Sequence, residues 1–225
     1  MRTGWRIAAA CAAAGWAGQA WGNVYITKFC SDTGDNELFE FVQVTNLGST
    51  PINMAGWSED DNHATPDVTG HSLTGLGILQ PGESGIITQA TPADFIAFWG
   101  AANLPVNLPI VGPYTNDELN TDSDTITLFN SSKVLVDQLF YSTTNGGSAD
   151  SVVRNAPLDA LGQNDNELWA NSFLRDDYGS FGAAEKLTII GNPGYYMVPE
   201  PTGLGVLGLA WVIGMRPRRN DKVTG

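Results

Sequence analysis

The sequence predicts an all-β body of sandwich or barrel type, with one short helix added. Three observations lead to this fold class. Residues 23–197 contain no long segment of helical periodicity, short β-rich runs alternate with Gly, Pro, Asn and Asp, and turn signals recur at the spacing of all-β domains. With 225 residues and 42% apolar side chains, the chain can build a sizeable hydrophobic core.

The predicted strands follow from alternating side chains. Residues 24–28 alternate, and residues 38–45 do so more strongly, with Phe39, Phe41 and Val44 as candidates for the sheet. Further strands are predicted within four later runs: 52–57, 84–88, 125–129 and 134–141. The last two are expected to pair as a hairpin through the turn at 130–133.

A single short helix is predicted after Thr91. The Thr91 hydroxyl can cap the helix, and the carboxylate of Asp94 at the third helical position can bond back to Thr91 in a capping box. Three aromatic side chains then share one face of the helix: Phe95, Phe98 and Trp99. Gly100 is expected to end the helix. Because so short a helix is marginal alone, we expect its aromatic face to cover an open end or edge of a sheet. Trp57, Trp99 and Trp169 are all expected to be core residues rather than a sugar platform.

The charge is distributed unevenly along the chain. The net charge is −13, yet residues 23–201 carry 23 acidic residues against five cations, and the other six cations lie near the two ends. A body this acidic repels phosphate backbones, so a nucleic-acid partner is not expected.

The first 22 residues have the pattern of a secretory signal peptide. Arg2 and Arg6 precede an Ala-rich apolar run, and small residues before Asn23 predict cleavage by signal peptidase between Gly22 and Asn23. An N-terminal core helix is the alternative, which the lack of polar periodicity disfavours. Removal of this segment leaves Cys30 as the single cysteine, without a disulfide and with a small, partly buried side chain.

The last 28 residues, 198–225, form a three-part tail. Pro199, Glu200 and Pro201 precede the Gly-rich apolar run 202–215, and a basic cluster follows: Arg216, Arg218 and Arg219. An apolar run followed by positive charges is a stop-transfer pattern. This tail resembles the PEP-CTERM sorting signal of Gram-negative bacteria. The resemblance implies export, transient anchoring of a transmembrane helix over 202–215 in the inner membrane, processing by an exosortase, and delivery to the outer surface or extracellular matrix.

The body contains a series of short sequence blocks in a characteristic order: 24–27, 40–48, 52–57, 79–84, 124–129 and 134–137, with further blocks at 151–154 and 191–194. In this order the blocks resemble the lamin tail domain (LTD) family. Residues 155–186 match poorly. The resemblance implies an immunoglobulin-like β-sandwich over residues 23–197, used as an accessory or adhesion-type module, with no general catalytic residues to carry over.

The residues themselves offer little catalytic or metal-binding chemistry. His63 and His71 fit no zinc spacing and are expected to be exposed loop residues. The acidic clusters are typical of Asx turns and of a soluble exported surface. If their loops converge, four aspartates are the calcium candidates: Asp60, Asp61, Asp122 and Asp124.

The sequence therefore predicts an exported, non-enzymatic module of the envelope or extracellular matrix, without a cofactor. One alternative is a surface module that binds Ca²⁺ or a glycan, with an extracellular polysaccharide or protein as its partner. The second alternative is a secreted metal-dependent hydrolase built on the two histidines and nearby acids.

Overall fold

The computed structural model describes residues 24–31, 40–60, 70–114, 119–120, 122–142, 153–164 and 167–196. Within these ranges the protein is mostly β-sheet with one short α-helix, α1 (Pro92–Trp99), and two 3-10 turns, Thr74–Leu76 and Ala101–Asn103. The strands are β1 (Val24–Cys30), β2 (Phe41–Asn46), β3 (Ile52–Asn53), β4 (Ser58–Asp60), β5 (His71–Ser72), β6 (Ile78–Leu79), β7 (Ser84–Thr88), β8 (Ile110–Val111), β9 (Ser123–Phe129), β10 (Leu135–Ser142), β11 (Arg154–Asn155), β12 (Ala170–Asn171), β13 (Phe181–Gly182) and β14 (Ile190–Gly191).

Two sheets form a sandwich. The larger has the order β12-β11-β1-β2-β7-β8 and the smaller has the order β10-β9-β4-β5. Every pairing is antiparallel except the parallel β7–β8 pair. Their facing sides share one apolar core, to which the larger sheet contributes Val42, Val44 and Ile87 and the smaller sheet Ile126 and Leu128. Two short antiparallel pairs, β3–β6 and β13–β14, complete the part of the fold that the structure describes.

Most of the predicted strands are confirmed, with shifted ends. The hairpin through 130–133 is also confirmed, because the Asn130 N–H donates to the Val134 carbonyl at 3.0 Å and Lys133 adopts a positive φ of 61°. Within the predicted run 52–57, only Ile52–Asn53 is a strand. The Trp57 N–H bonds back to the Met54 carbonyl at 3.1 Å, so the chain turns there. Phe39 lies outside the described residues.

Strand β1 contains a bulge that places two successive side chains on the same face. Ile26 pairs with Val44, but Lys28 pairs with Gln43, so Thr27 is the extra residue. Thr27 and Lys28 therefore both lie on the side of the larger sheet that points away from the smaller sheet, which we call the outer face. Phe29 returns to the core between the sheets.

Helix α1 packs on this outer face. The cap is as predicted: the Asp94 N–H donates to Thr91 Oγ1 at 3.2 Å, and the Thr91 hydroxyl donates to Asp94 Oδ2 at 2.6 Å. Phe41 of β2 contacts the rings of Phe95 and Trp99 edge-on, with centroids 5.6 and 6.0 Å apart. The expectation that the helix covers an end or edge of a sheet is wrong. The apolar outer-face side chains of β2 and β7 require cover, and the helix provides it.

Residues 153–196, which we call the C-terminal segment, cover the rest of the outer face. Strand β11 extends the larger sheet by pairing with β1. The Gly194 N–H donates to Gln43 Oε1 at 2.8 Å, and Gln43 Nε2 donates to the Tyr195 carbonyl at 3.3 Å. The poorly matching region 155–186, apart from residues 165 and 166, thus belongs to the described fold.

A buried carboxylate joins the two sheets, and it predicts a pH dependence. Asp137 of β10 accepts a hydrogen bond from the Ile26 N–H of β1 at 2.8 Å. Burial raises the pKa of Asp137 from 3.8 to about 6, although hydrogen bonds from the Ile26 and Gln138 N–H groups oppose the shift. Because the folded state binds this proton more tightly than the unfolded state, its contribution to stability is full below about pH 4 and is lost as pH rises through about 6.

The measurement is urea unfolding at pH 7.5 and pH 5 for the wild type and for Asp137→Asn. Lowering the pH should stabilise the wild type by about 1 kcal/mol more than it stabilises the variant. Equal pH dependence in the two proteins would contradict the assignment, since all other titrating groups are common to both.

Candidate functional site

A cleft of about 420 Å³ opens at one edge of the sandwich. It lies between β5, the edge strand of the smaller sheet, and β8, the edge strand of the larger sheet. We call it the edge cleft and define it by five of its lining residues: His71, Ser72, Ile87, Val111 and Tyr114. Its walls combine the apolar side chains of Ile87 and Val111 with the polar rings of His71 and Tyr114.

Tyr114 connects the edge cleft to a buried carboxylate. Its hydroxyl donates to Glu40 Oε1 at 2.5 Å, and the same oxygen accepts the Leu119 N–H at 2.8 Å. Burial, followed by the negative charge of Glu40, raises the pKa of Tyr114 well above its usual value of 10.0. Tyr114 is therefore a neutral hydrogen-bond donor throughout the physiological range.

His71 forms the second polar element of the cleft. Its Nδ1 lies 2.9 Å from Glu59 Oε2, and its ring stacks on Tyr114 with centroids 4.4 Å apart. The register of the β4–β5 pair sets this contact, because Glu59 and His71 are direct partners across it. A carboxylate that engages one imidazole nitrogen fixes the orientation of the ring, as in many catalytic and ligand sites.

This arrangement corrects the prediction for His71. The sequence predicted an exposed loop histidine, whereas the side chain is only 13% exposed and belongs to β5. Sequence reasoning missed the pair because Glu59 and His71 are separated by a long polar stretch that hid the β4–β5 pairing. The sequence held no local signal for β4, because Ser58, Glu59 and Asp60 are all polar and show no alternation of apolar and polar side chains. His63 lies outside the described residues.

The calcium candidates are not gathered into one site among the described residues. Asp60 is buried in β4, opposite Thr127 on β9, while Asp124 lies three residues earlier on β9, roughly 10 Å along the strand. Asp124 Oδ2 accepts two hydrogen bonds from Asn120, at 2.9 and 2.8 Å, and Asp122 is exposed. Asp61 lies outside the described part of the chain. In that part, no group of three His, Cys, Asp or Glu side chains is placed to hold a metal ion. Calcium binding stays a prediction.

The structure tests the predicted burial of three tryptophans and of Cys30. Trp57, Trp99 and Trp169 are all buried, as expected, with Trp99 completely enclosed. Cys30 is fully buried rather than partly buried, because it lies beneath the helix on the outer face.

The residues of the two terminal signals lie outside the described ranges. These are Gly22 and Asn23 at the predicted signal cleavage, and Pro199, Glu200, Pro201, Arg216, Arg218 and Arg219 in the tail. Among the helices that the structure does describe, none has the length and apolar character to span a membrane. The apolar run 202–215 is not among them.

The hydroxyl of Tyr114 provides a direct test of the buried network. Tyr114→Phe removes a donor from buried Glu40 and should destabilise the fold by about 1–3 kcal/mol. Tyr195→Phe is the matched control, because Tyr195 is 42% exposed and should change stability by less than about 0.5 kcal/mol. Urea unfolding measures both, and a Tyr114→Phe protein as stable as the control would refute the assignment.

The chain matches the family model of the Lamin Tail Domain over residues 17–143, which is more than half of its length. No curated protein matches it. The matched region includes β1 to β10 and helix α1, and so contains the whole smaller sheet and the central strands of the larger one. The C-terminal segment follows the matched region. On these grounds the chain belongs to the lamin tail domain family, and its mostly β-sheet body with one short helix is consistent with the immunoglobulin-like fold of that family.

Proposed function

We propose that the protein is an exported, non-catalytic β-sandwich module of the cell envelope or extracellular matrix, sorted by a PEP-CTERM-like tail. One observation carries the proposal: a lamin tail sandwich lies between a signal-peptide pattern at residues 1–22 and a tripartite tail at 198–225. Signal peptidase and an exosortase-type enzyme are the processing partners, and residues 202–215 are the membrane contact.

The sandwich has features that suit a structural role. Two separate apolar cores, one on each side of the larger sheet, stabilise a small body. Two of its buried acids, Glu40 and Glu59, are contacted by Tyr114 and His71. These contacts support a role in holding the fold together.

The test follows the full-length chain in a Gram-negative host that carries an exosortase-type enzyme. The wild type should be recovered from the envelope or medium, beginning at Asn23 and shortened near Pro199–Pro201, as mass spectrometry of both ends would show. Replacing Arg216, Arg218 and Arg219 together by Ala should block C-terminal processing. Lys222→Ala, just beyond the cluster, is the matched control and should be processed normally. Full-length wild type accumulating in the cytosol would refute the proposal.

The edge cleft supports a second candidate function, the binding of a glycan. The edge cleft is open and combines the apolar side chains of Ile87 and Val111 with polar groups of His71, Ser72 and Tyr114 that can pair with sugar hydroxyls. Titration calorimetry against a panel of oligosaccharides tests this function. Any binding should be lost in Ser72→Trp, which narrows the cleft, and kept in Asn171→Trp, because exposed Asn171 lies on β12 at the opposite edge of the larger sheet from β8. Absence of binding heat across the panel would end this candidate.

The same calorimeter tests the calcium alternative. Millimolar Ca²⁺ should release or absorb heat and raise the melting temperature if the acidic loops bind the ion. The absence of both effects would dismiss it.

A further inference from the structure

A completely buried lysine lies on the outer face of the larger sheet. Lys28 has no exposed surface, although lysine is rarely enclosed in proteins. Its position follows from the bulge in β1, which turns it away from the core between the sheets. In the β1–β11 ladder its direct partner is Asn155, so the two side chains project from the same face. Lys28 Nζ donates a hydrogen bond to Asn155 Oδ1.

The surroundings of the amine favour its neutral form. The rings of Tyr178 and Tyr196 lie over Nζ, with centroids at 5.5 and 5.8 Å. Burial lowers the pKa of Lys28 from 10.5 to about 7, outweighing the nearby negative charge of Asp176, which acts in the opposite direction. At neutral pH roughly half of these amines carry a free lone pair, the form of lysine that acts as a nucleophile.

The amide of Asn155 is held in a fixed orientation. Its Nδ2 donates to the Ser172 hydroxyl at 2.7 Å, while its Oδ1 faces the lysine. Asn155 is completely buried, and Ser172 is largely buried. An amine and an amide carbonyl are therefore held together in a site shielded from water. Because the fold already fixes their geometry, the reaction does not bear the entropy cost of bringing the two groups together.

We infer that Lys28 and Asn155 join covalently through an intramolecular isopeptide bond between β1 and β11. Nζ attacks Cγ of Asn155, the Cγ–Nδ2 bond breaks, and a proton from Nζ passes to the departing nitrogen, which leaves as ammonia. One amide replaces another, so the reaction needs no oxidant, reductant or cofactor. The positive charge that develops on Nζ during attack is stabilised by Asp176 and by the two tyrosine rings. The Ser172 hydroxyl contacts the leaving nitrogen and can relay the proton to it.

The bond would connect the two parts of the body. Strand β1 belongs to the matched lamin tail region, and β11 begins the C-terminal segment that covers the outer face. After removal of residues 1–22, Cys30 would be the single cysteine, so no disulfide within the chain could fasten this segment. An isopeptide bond gives the same covalent constraint without sulfur. It forms whether or not the chain is exported, so its test is independent of the proposed function.

The decisive measurement is the intact mass of the purified, denatured full chain, with both ends determined. The wild type should weigh less than its sequence by the mass of one ammonia molecule. Digestion should yield a branched peptide that links residue 28 to residue 155. Lys28→Arg and Asn155→Ala should each have the full sequence mass, whereas the matched control Lys186→Arg should keep the deficit. A wild-type chain of full mass overturns the inference.

A peptide map and a cleavage experiment distinguish the proposed bond from other causes of a mass deficit. A mass deficit accompanied by linear peptides for residues 28 and 155 also overturns the inference, because a cyclised asparagine elsewhere loses ammonia without a branch. A protease site inserted within residues 143–152 adds a second readout. After cleavage, the wild-type fragments should remain joined on a denaturing gel, and those of Asn155→Ala should separate. Separation of the wild-type fragments would contradict the bond.

Discussion

Trp99→Ala is expected to be among the most damaging single substitutions in the body, costing about 3–5 kcal/mol of unfolding free energy. Trp99 is completely buried at the end of α1 and contacts the rings of Phe41, Phe98 and Phe181, with centroids 5.5–6.0 Å away. Its removal leaves a cavity between the helix, the larger sheet and the C-terminal segment. All three elements meet at this side chain, so the site cannot easily collapse to fill the space.

Two further variants test whether the loss of stability comes from the packing of Trp99. Ile96 lies on the same helix but is 37% exposed, so Ile96→Ala should cost less than about 1 kcal/mol. Trp99→Phe should fall between the two, because the buried indole N–H has no hydrogen-bond partner among the residues that the structure describes, and its loss partly offsets the loss of packing. Guanidinium unfolding measures all three, and equal losses for Trp99→Ala and Ile96→Ala would refute the packing argument.

A chain that ends at residue 143, where the family match ends, is expected not to fold cooperatively. It lacks β11 and β12. It also lacks Val153, Ala183 and Ile189, which belong to the apolar core on the outer face of the larger sheet. The truncation would expose Phe41, Cys30 and the amine of Lys28, and would leave β1 as an uncovered sheet edge. We expect a poorly dispersed amide spectrum and binding of a hydrophobic dye.

The comparison is between chains 23–143 and 23–197, both without the terminal signals. The longer chain should melt in one sharp transition, since it retains both cores and all strands of the larger sheet. If the shorter chain melts as sharply and at the same temperature, the C-terminal segment is an accessory to the fold rather than part of it.

The helix was predictable from the sequence because its signals are local. Thr91 and Asp94 are three residues apart, and the aromatic side chains that follow them repeat at helical spacing. Its docking position was not predictable. The alternation in β2 shows that Phe41 and Val42 point to opposite sides, but it does not show which side the smaller sheet covers.

The polar pairs were missed for a related reason. His71 meets Glu59 across the β4–β5 pair, and Lys28 meets Asn155 across a separation of 127 residues. Each residue looks like an ordinary loop or strand residue in its own stretch of sequence. Burial and pairing emerge only when the sheet order is known, because β11 joins β1 from the far end of the domain.

The bulge in β1 gives the first strand one residue more than its register with β2 needs. Because Thr27 is the extra residue, deleting it would leave Ile26 and Lys28 in strict alternation, with Lys28 still on the outer face and Phe29 still in the core between the sheets. Inserting one more residue there, without a second bulge, would instead drive Lys28 between the two sheets and move Phe29 to the helix side. Relatives that share this architecture should therefore accept a first strand that is shorter by this one residue, but not one that is longer by one.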